Sequence, residues 1–204
     1  MADRSSVCML IGGTIHRRDV KKLRDAAIED YAGINYEGGD DADLAEWIDN
    51  APSHDRGVLT FTGSEVSWGR FEQLEAVCKE LRLTYCTQSD ACSGAWSASA
   101  DFWEPDIEDD CSICFPCDDD GMPLLSTQSI RRCLADGTLL NKLDQMDRIY
   151  RFRFPFVIIE DPEWTAERDR LDAELDEIDA QGGPADVFAD RRRAIINRLD
   201  EMGA

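Results

Sequence analysis

Residues 57–88 read GVLTFTGSEVSWGRFEQLEAVCKELRLTYCTQ, and their pattern decides the fold class. Residues 57–62 are rich in β-branched and aromatic side chains and predict a strand. Between 70 and 81, Phe71, Leu74, Val77, Cys78 and Leu81 recur at intervals of three and four, which is one face of a helix. Trp68, in the connection before it, is expected to pack over that helix. Residues 83–88 predict a second strand, with Leu83 and Tyr85 on one face. After a turn at 89–94, residues 95–103 alternate Trp96, Ala98, Ala100 and Phe102 and predict its hairpin partner.

Working outward, residues 7–11 form a short apolar strand that Gly12-Gly13 ends, and residues 17–31 carry Val20, Leu23, Ala27 and Tyr31 on a helical stripe. A short helix through residue 48 presents Leu44, Trp47 and Ile48. Downstream, 104–121 reads as an acidic loop and 122–126 as an edge strand. Helices are predicted at 127–134 and 138–146, and a strand at 154–159. This order predicts an α+β domain over residues 1–161, with a mixed or antiparallel sheet and helices on one face, a ferredoxin-like arrangement being one form of it. Residues 162–204 predict an α-helical hairpin. Trp164, Leu171, Leu175 and Ile178 mark one helix, and Phe188, Ile195, Leu199 and Met202 the other, with Pro184 at its start. Its apolar stripes need a cover, either the body of the chain or a second copy meeting it through 163–203 as a four-helix bundle.

The chain has 204 residues, 43 acids, 22 bases and a formal charge of −21. Direct binding to nucleic acid is disfavoured, because that affinity comes from neutralising phosphates with Lys and Arg. An anionic membrane surface is disfavoured likewise. The 43% apolar content excludes wholesale disorder. Residues 25–55 and 83–130 each hold ten carboxylates and no Lys or Arg, so the remainder is almost neutral. Concentrated acid of this kind suits recognition of a basic protein surface, with carboxylates standing in for phosphates. The expected contact residues are Asp40, Asp41, Asp43, Glu46 and Asp49 in the first block. Asp106, Glu108, Asp109, Asp110, Asp118, Asp119 and Asp120 follow in the second. Aromatic residues among the acids are the candidate anchors: Trp47 and Trp103 above all, with Tyr31, Tyr36, Trp96, Phe102 and Phe115. A solubilising acidic surface on a structural homodimer is an alternative.

No stretch approaches 18 apolar residues and no signal peptide is expected, so the chain reads as cytoplasmic, with reduced thiols. Eight cysteines are present. Cys111, Cys114 and Cys117 follow a C-x2-C-x2-C spacing that can bring thiolates to one structural zinc, with Cys133, Cys92 or Cys86 as the fourth ligand. Gly12-Gly13 before a basic helix suggests a phosphate-cradling turn. Either feature defines an alternative reading, a metal-stabilised or nucleotide-handling enzyme. Triad, HExxH, Walker and GxGxxG motifs do not occur, and no catalytic residue is assigned.

The stretch WGRFEQLEAVCKELRLTYCTQSD, residues 68–90, resembles uncharacterised α+β proteins of bacterial phages and plasmids. The shared positions are Gly69, Phe71, Leu74, Glu75, Leu83, Tyr85, Ser89 and Asp90. The resemblance covers about a tenth of the chain and implies no activity. In composition alone, the chain is similar to anti-CRISPR and anti-restriction inhibitors, which implies a nucleic-acid mimic acting on a basic, nucleic-acid-binding partner.

Overall fold

A computed structural model describes residues 4–34, 41–51, 57–92, 97–105, 112–118, 120–180 and 185–202. The order is β1 (Arg4–His16), α1 (Val20–Glu29), α2 (Asp41–Asn50), β2 (Leu59–Ser67), α3 (Glu72–Glu80), β3 (Thr84–Ser89) and β4 (Ser99–Trp103). Then come β5 (Ile113–Pro116), α4 (Thr127–Ala135), α5 (Leu139–Arg151), β6 (Phe156–Ile159), α6 (Pro162–Ala180) and α7 (Ala185–Met202). The fold is α+β with a C-terminal helical pair. Strands lie in the order β2-β1-β3-β4-β5, each antiparallel to its neighbour, and β6 joins β1 in parallel. β2 and β3 are joined through α3 and flank β1, which makes a split β-α-β unit. A β3-β4-β5 meander stands where a ferredoxin-like domain would carry a second such unit.

Alternation along β1 explains the two cores. Val7, Met9 and Ile11 point to the face covered by α1, α2 and α3, where Leu23, Ala27, Leu44, Ile48, Leu74 and Cys78 complete one apolar cluster. Leu10 points to the other face, where Phe102, Phe115 and Cys86 pack against Ile149 of α5 and the Phe152–Phe154 turn after it. Phe152 and Phe154 meet edge to face at 5.2 Å between centroids. Each such buried side chain contributes roughly 1.5–3 kcal/mol of transfer free energy.

Gly12-Gly13 does not end the first strand. β1 runs through the pair and changes partner there, Gly12 pairing with Thr84 of β3 and Gly13 with Phe156 of β6. Gly13 has φ +114 and donates its N–H to the Pro155 carbonyl at 2.9 Å. The phosphate-cradle expectation is therefore corrected: this backbone is strand.

Each end of the strand order takes one further bridge. On β2, Thr62 exchanges two backbone hydrogen bonds with Gly33, each 2.7 Å. Beyond β5, a strand where a loop was expected, the chain folds back: Cys117 bridges Pro123 and Leu124 N–H reaches Pro116 O at 2.7 Å. Residues 122–126 form this bridge and no strand, Pro123 having no N–H to give. In the helical pair, Leu171 and Ile178 of α6 pack on Ile195, Leu199 and Met202 of α7, in a cluster of their own. Arg198–Glu167, Arg191–Glu174 and Arg192–Asp179 ion pairs flank it.

Candidate functional site

Helix α2 has one apolar and one acidic side. Leu44, Ile48 and Ala51 are buried, so Asp43, Glu46 and Asp49, spaced by three, face outward and are exposed. Asp49 is paired with Arg17, whose guanidinium also holds Glu160 and keeps that carboxyl below its usual range. Trp47 is half-buried, and its Nε1–H donates to the Thr60 carbonyl at 2.8 Å, fastening α2 to β2. Asp40 lies outside the described residues, as does the side chain of Asp41.

In the second block, the Asp118 carboxylate accepts the N–H groups of Asp120 at 3.0 Å and Met122 at 2.8 Å, closing a turn with Asp120 exposed. Asp106, Glu108, Asp109, Asp110 and Asp119 lie outside the described residues, as do Tyr36 and Trp96. Trp103 is corrected from anchor to core. It is 4% exposed and stacks on Tyr85 at 5.9 Å, because β4 is covered on both faces where Phe102 and Trp103 leave it. Phe102 and Phe115 are buried as well. The described acids of the two blocks lie toward opposite ends of the strand order: α2 is fastened to β2 and the Asp118 turn follows β5.

The cysteine expectation is corrected too. Cys114 pairs with Asp101 across β4–β5, whereas Cys117 packs with Phe115 and Ala100. Three residues apart on an extended chain, the two thiols leave opposite faces of the sheet. Burial raises both thiols, Cys117 to about 11 with Asp118 adding to the shift, and Cys114 with Asp101 adding to it. Cys111 lies outside the described residues and Cys133 is half-buried on α4. Among the described residues, no group of three His, Cys, Asp or Glu side chains is placed to hold a metal ion.

Two features are assembled only in the fold. One is a buried polar cluster under α3. Glu75 is 4% exposed, takes the Arg70 guanidinium, and accepts the Thr87 hydroxyl at 3.3 Å. The Tyr85 hydroxyl is buried beside it with no hydrogen-bond partner among the described residues, and burial raises it above its ordinary range. The other is an open groove of about 650 Å³ where the C-terminal end of α1 meets the β2–α3 connection. Trp68 stands at its rim, 62% exposed rather than folded over α3.

No protein-family model, curated protein or solved structure matches the chain. Among the described residues, no helix is long and apolar enough to cross a membrane.

Proposed function

We propose that the protein is a non-enzymatic acidic interaction protein that occupies the nucleic-acid-binding surface of a basic partner. The observation that carries this reading is how the chain spends its cations. Arg4, Arg17, Lys22, Arg70, Arg148, Arg151, Arg168, Arg191, Arg192 and Arg198 each lie within ion-pair distance of a carboxylate of the same chain. An acid surplus of 21 remains. The resulting negative field steers a basic surface toward the molecule and repels free nucleic acid. Within it, the 25–55 block offers the better-defined face, since α2 is free of bases and projects Asp43 and Glu46 outward.

The test is competition. A basic nucleic-acid-binding protein recovered on the immobilised chain is titrated with its own DNA or RNA. Mutually exclusive binding is expected, and Asp43→Asn with Glu46→Gln is expected to weaken the complex and flatten its salt dependence. A stable ternary complex with nucleic acid would end the mimicry reading.

A further inference from the structure

The groove beside α1 joins exposed aromatic rings to carboxylates. Tyr31 is 87% exposed and Trp68 62%. Both have left-handed backbones, φ 52 and φ 58, and Glu65 on the same groove has φ 55. Such a conformation costs a residue with a Cβ roughly 1–2 kcal/mol. At Tyr31 the cost is offset by the cap of α1, where Tyr31 N–H reaches the Ile28 carbonyl at 3.1 Å and Ala32 N–H the Ala27 carbonyl at 2.8 Å, and this cap leaves the ring at the surface.

The groove carries more acid than base. Glu29, Asp30, Glu65 and Glu72 line it, against Arg4 and Arg70. Arg70 is engaged by the buried Glu75. Asp30 reaches α3 and accepts Leu74 N–H at 2.8 Å and Gln73 N–H at 3.3 Å. The C-terminal, negative end of the α1 dipole adds to the field. Arg4 shows what these acids accept: its guanidinium reaches Glu65 at 3.5 Å.

We infer that this groove docks an arginine side chain presented by the basic partner, its guanidinium stacked on Trp68 or Tyr31 and paired with the carboxylates at the rim. A guanidinium is planar, weakly hydrated and forked, so it satisfies an aromatic face and a carboxylate together, which an ammonium does less well. The open volume leaves room for the residues on either side of that arginine, which favours a protein segment as the source. The inference rests on the reading that the partner is basic.

Fluorescein-labelled nona-arginine and nona-lysine peptides, titrated against the full chain and followed by anisotropy, provide the test. Nona-arginine is expected to bind about tenfold tighter than nona-lysine. Trp68→Ala and Tyr31→Ala are each expected to weaken nona-arginine about five- to tenfold and to shrink its advantage over nona-lysine. Asp43→Asn with Glu46→Gln is expected to weaken both peptides alike. Equal affinity for the two peptides, or unaltered arginine binding by the aromatic variants, overturns the groove assignment. If the α2 variant still weakens binding in that case, the acidic-surface reading stands without the groove. If no substitution changes binding, both fall.

Discussion

A β-carbon placed on Gly12 would stand 2.0 Å from the carbonyl oxygen of Phe154 and 2.5 Å from its Cβ. The two backbones touch where β1 leaves β3 and takes up β6, so nothing flexible is available to yield. Gly12→Ala is expected to cost about 3 kcal/mol, the upper end for overpacking. Gly137, φ +71 with open space around it, is the control: its Ala variant meets only the left-handed penalty, about 1–2 kcal/mol. Urea unfolding of both variants checks this. Equal losses would show that close approach at Gly12 does not constrain the sheet.

The Arg70–Glu75 pair is asymmetric, with side-chain exposures of 45% and 6%. Removing the arginine strands a buried carboxylate, whereas removing the carboxylate lets Arg70 turn to water. Arg70→Met is therefore expected to cost about 3 kcal/mol, and Glu75→Met less than about 1.5 kcal/mol. Tyr85→Phe removes a buried hydroxyl that has no partner among the described residues and is expected to be neutral or stabilising by up to about 1 kcal/mol. Reversal of the first pair, or a large loss at Tyr85, would mean that the charge is balanced elsewhere.

Asp30 ties α1 to α3, and burial raises its carboxyl above the usual value although Leu74 and Gln73 donate to it. With the folded value above the unfolded one, the folded state holds the proton more tightly. Ionisation then works against stability as pH climbs from the unfolded value through the raised one. Asp30→Asn keeps an acceptor for Leu74 and carries no charge. Its stability relative to the parent is expected to improve between pH 3 and pH 7, while Asp30→Ala loses about 1 kcal/mol from the cap. Denaturation of all three across that range is the check, and a difference that shrinks with pH would reverse the sign.

What was legible in the sequence follows from where patterns are local. The Phe71–Leu74–Cys78 stripe specifies α3 by itself, and the strands around it show their β-branched and aromatic residues. Gly12-Gly13 reads as a turn because its reason is non-local: only the return of Phe154 and Pro155 shows why Cβ atoms are missing there. β5 is four residues long and hidden among aspartates, so a strand residue, Phe115, reads as loop. Trp103 reads as a surface anchor from its acidic neighbours, yet pairing decides that both sides of β4 are covered. Tyr31 reads as one aromatic among the acids, but its groove with Trp68 does not, since left-handed positions are anticipated from glycine and these carry large side chains.

The strand geometry at Cys114 and Cys117 predicts how the thiols behave. Cys114 is exposed, whereas Cys78 and Cys86 are fully buried and Cys117 is 9% exposed. Iodoacetamide labelling of the native protein, mapped by mass spectrometry, is expected to modify Cys114 well before those three, which wait for unfolding. Because burial and then Asp101 raise the Cys114 thiol, its labelling is expected to accelerate with pH. Asp101→Asn, which removes one of those causes, is expected to speed labelling near neutrality. Chelation by EDTA is expected to leave both the labelling order and the melting temperature unchanged, since the two thiols leave opposite faces. If EDTA instead exposes Cys114 and Cys117 together and lowers the melting temperature, the two share a metal and β5 does not run as described.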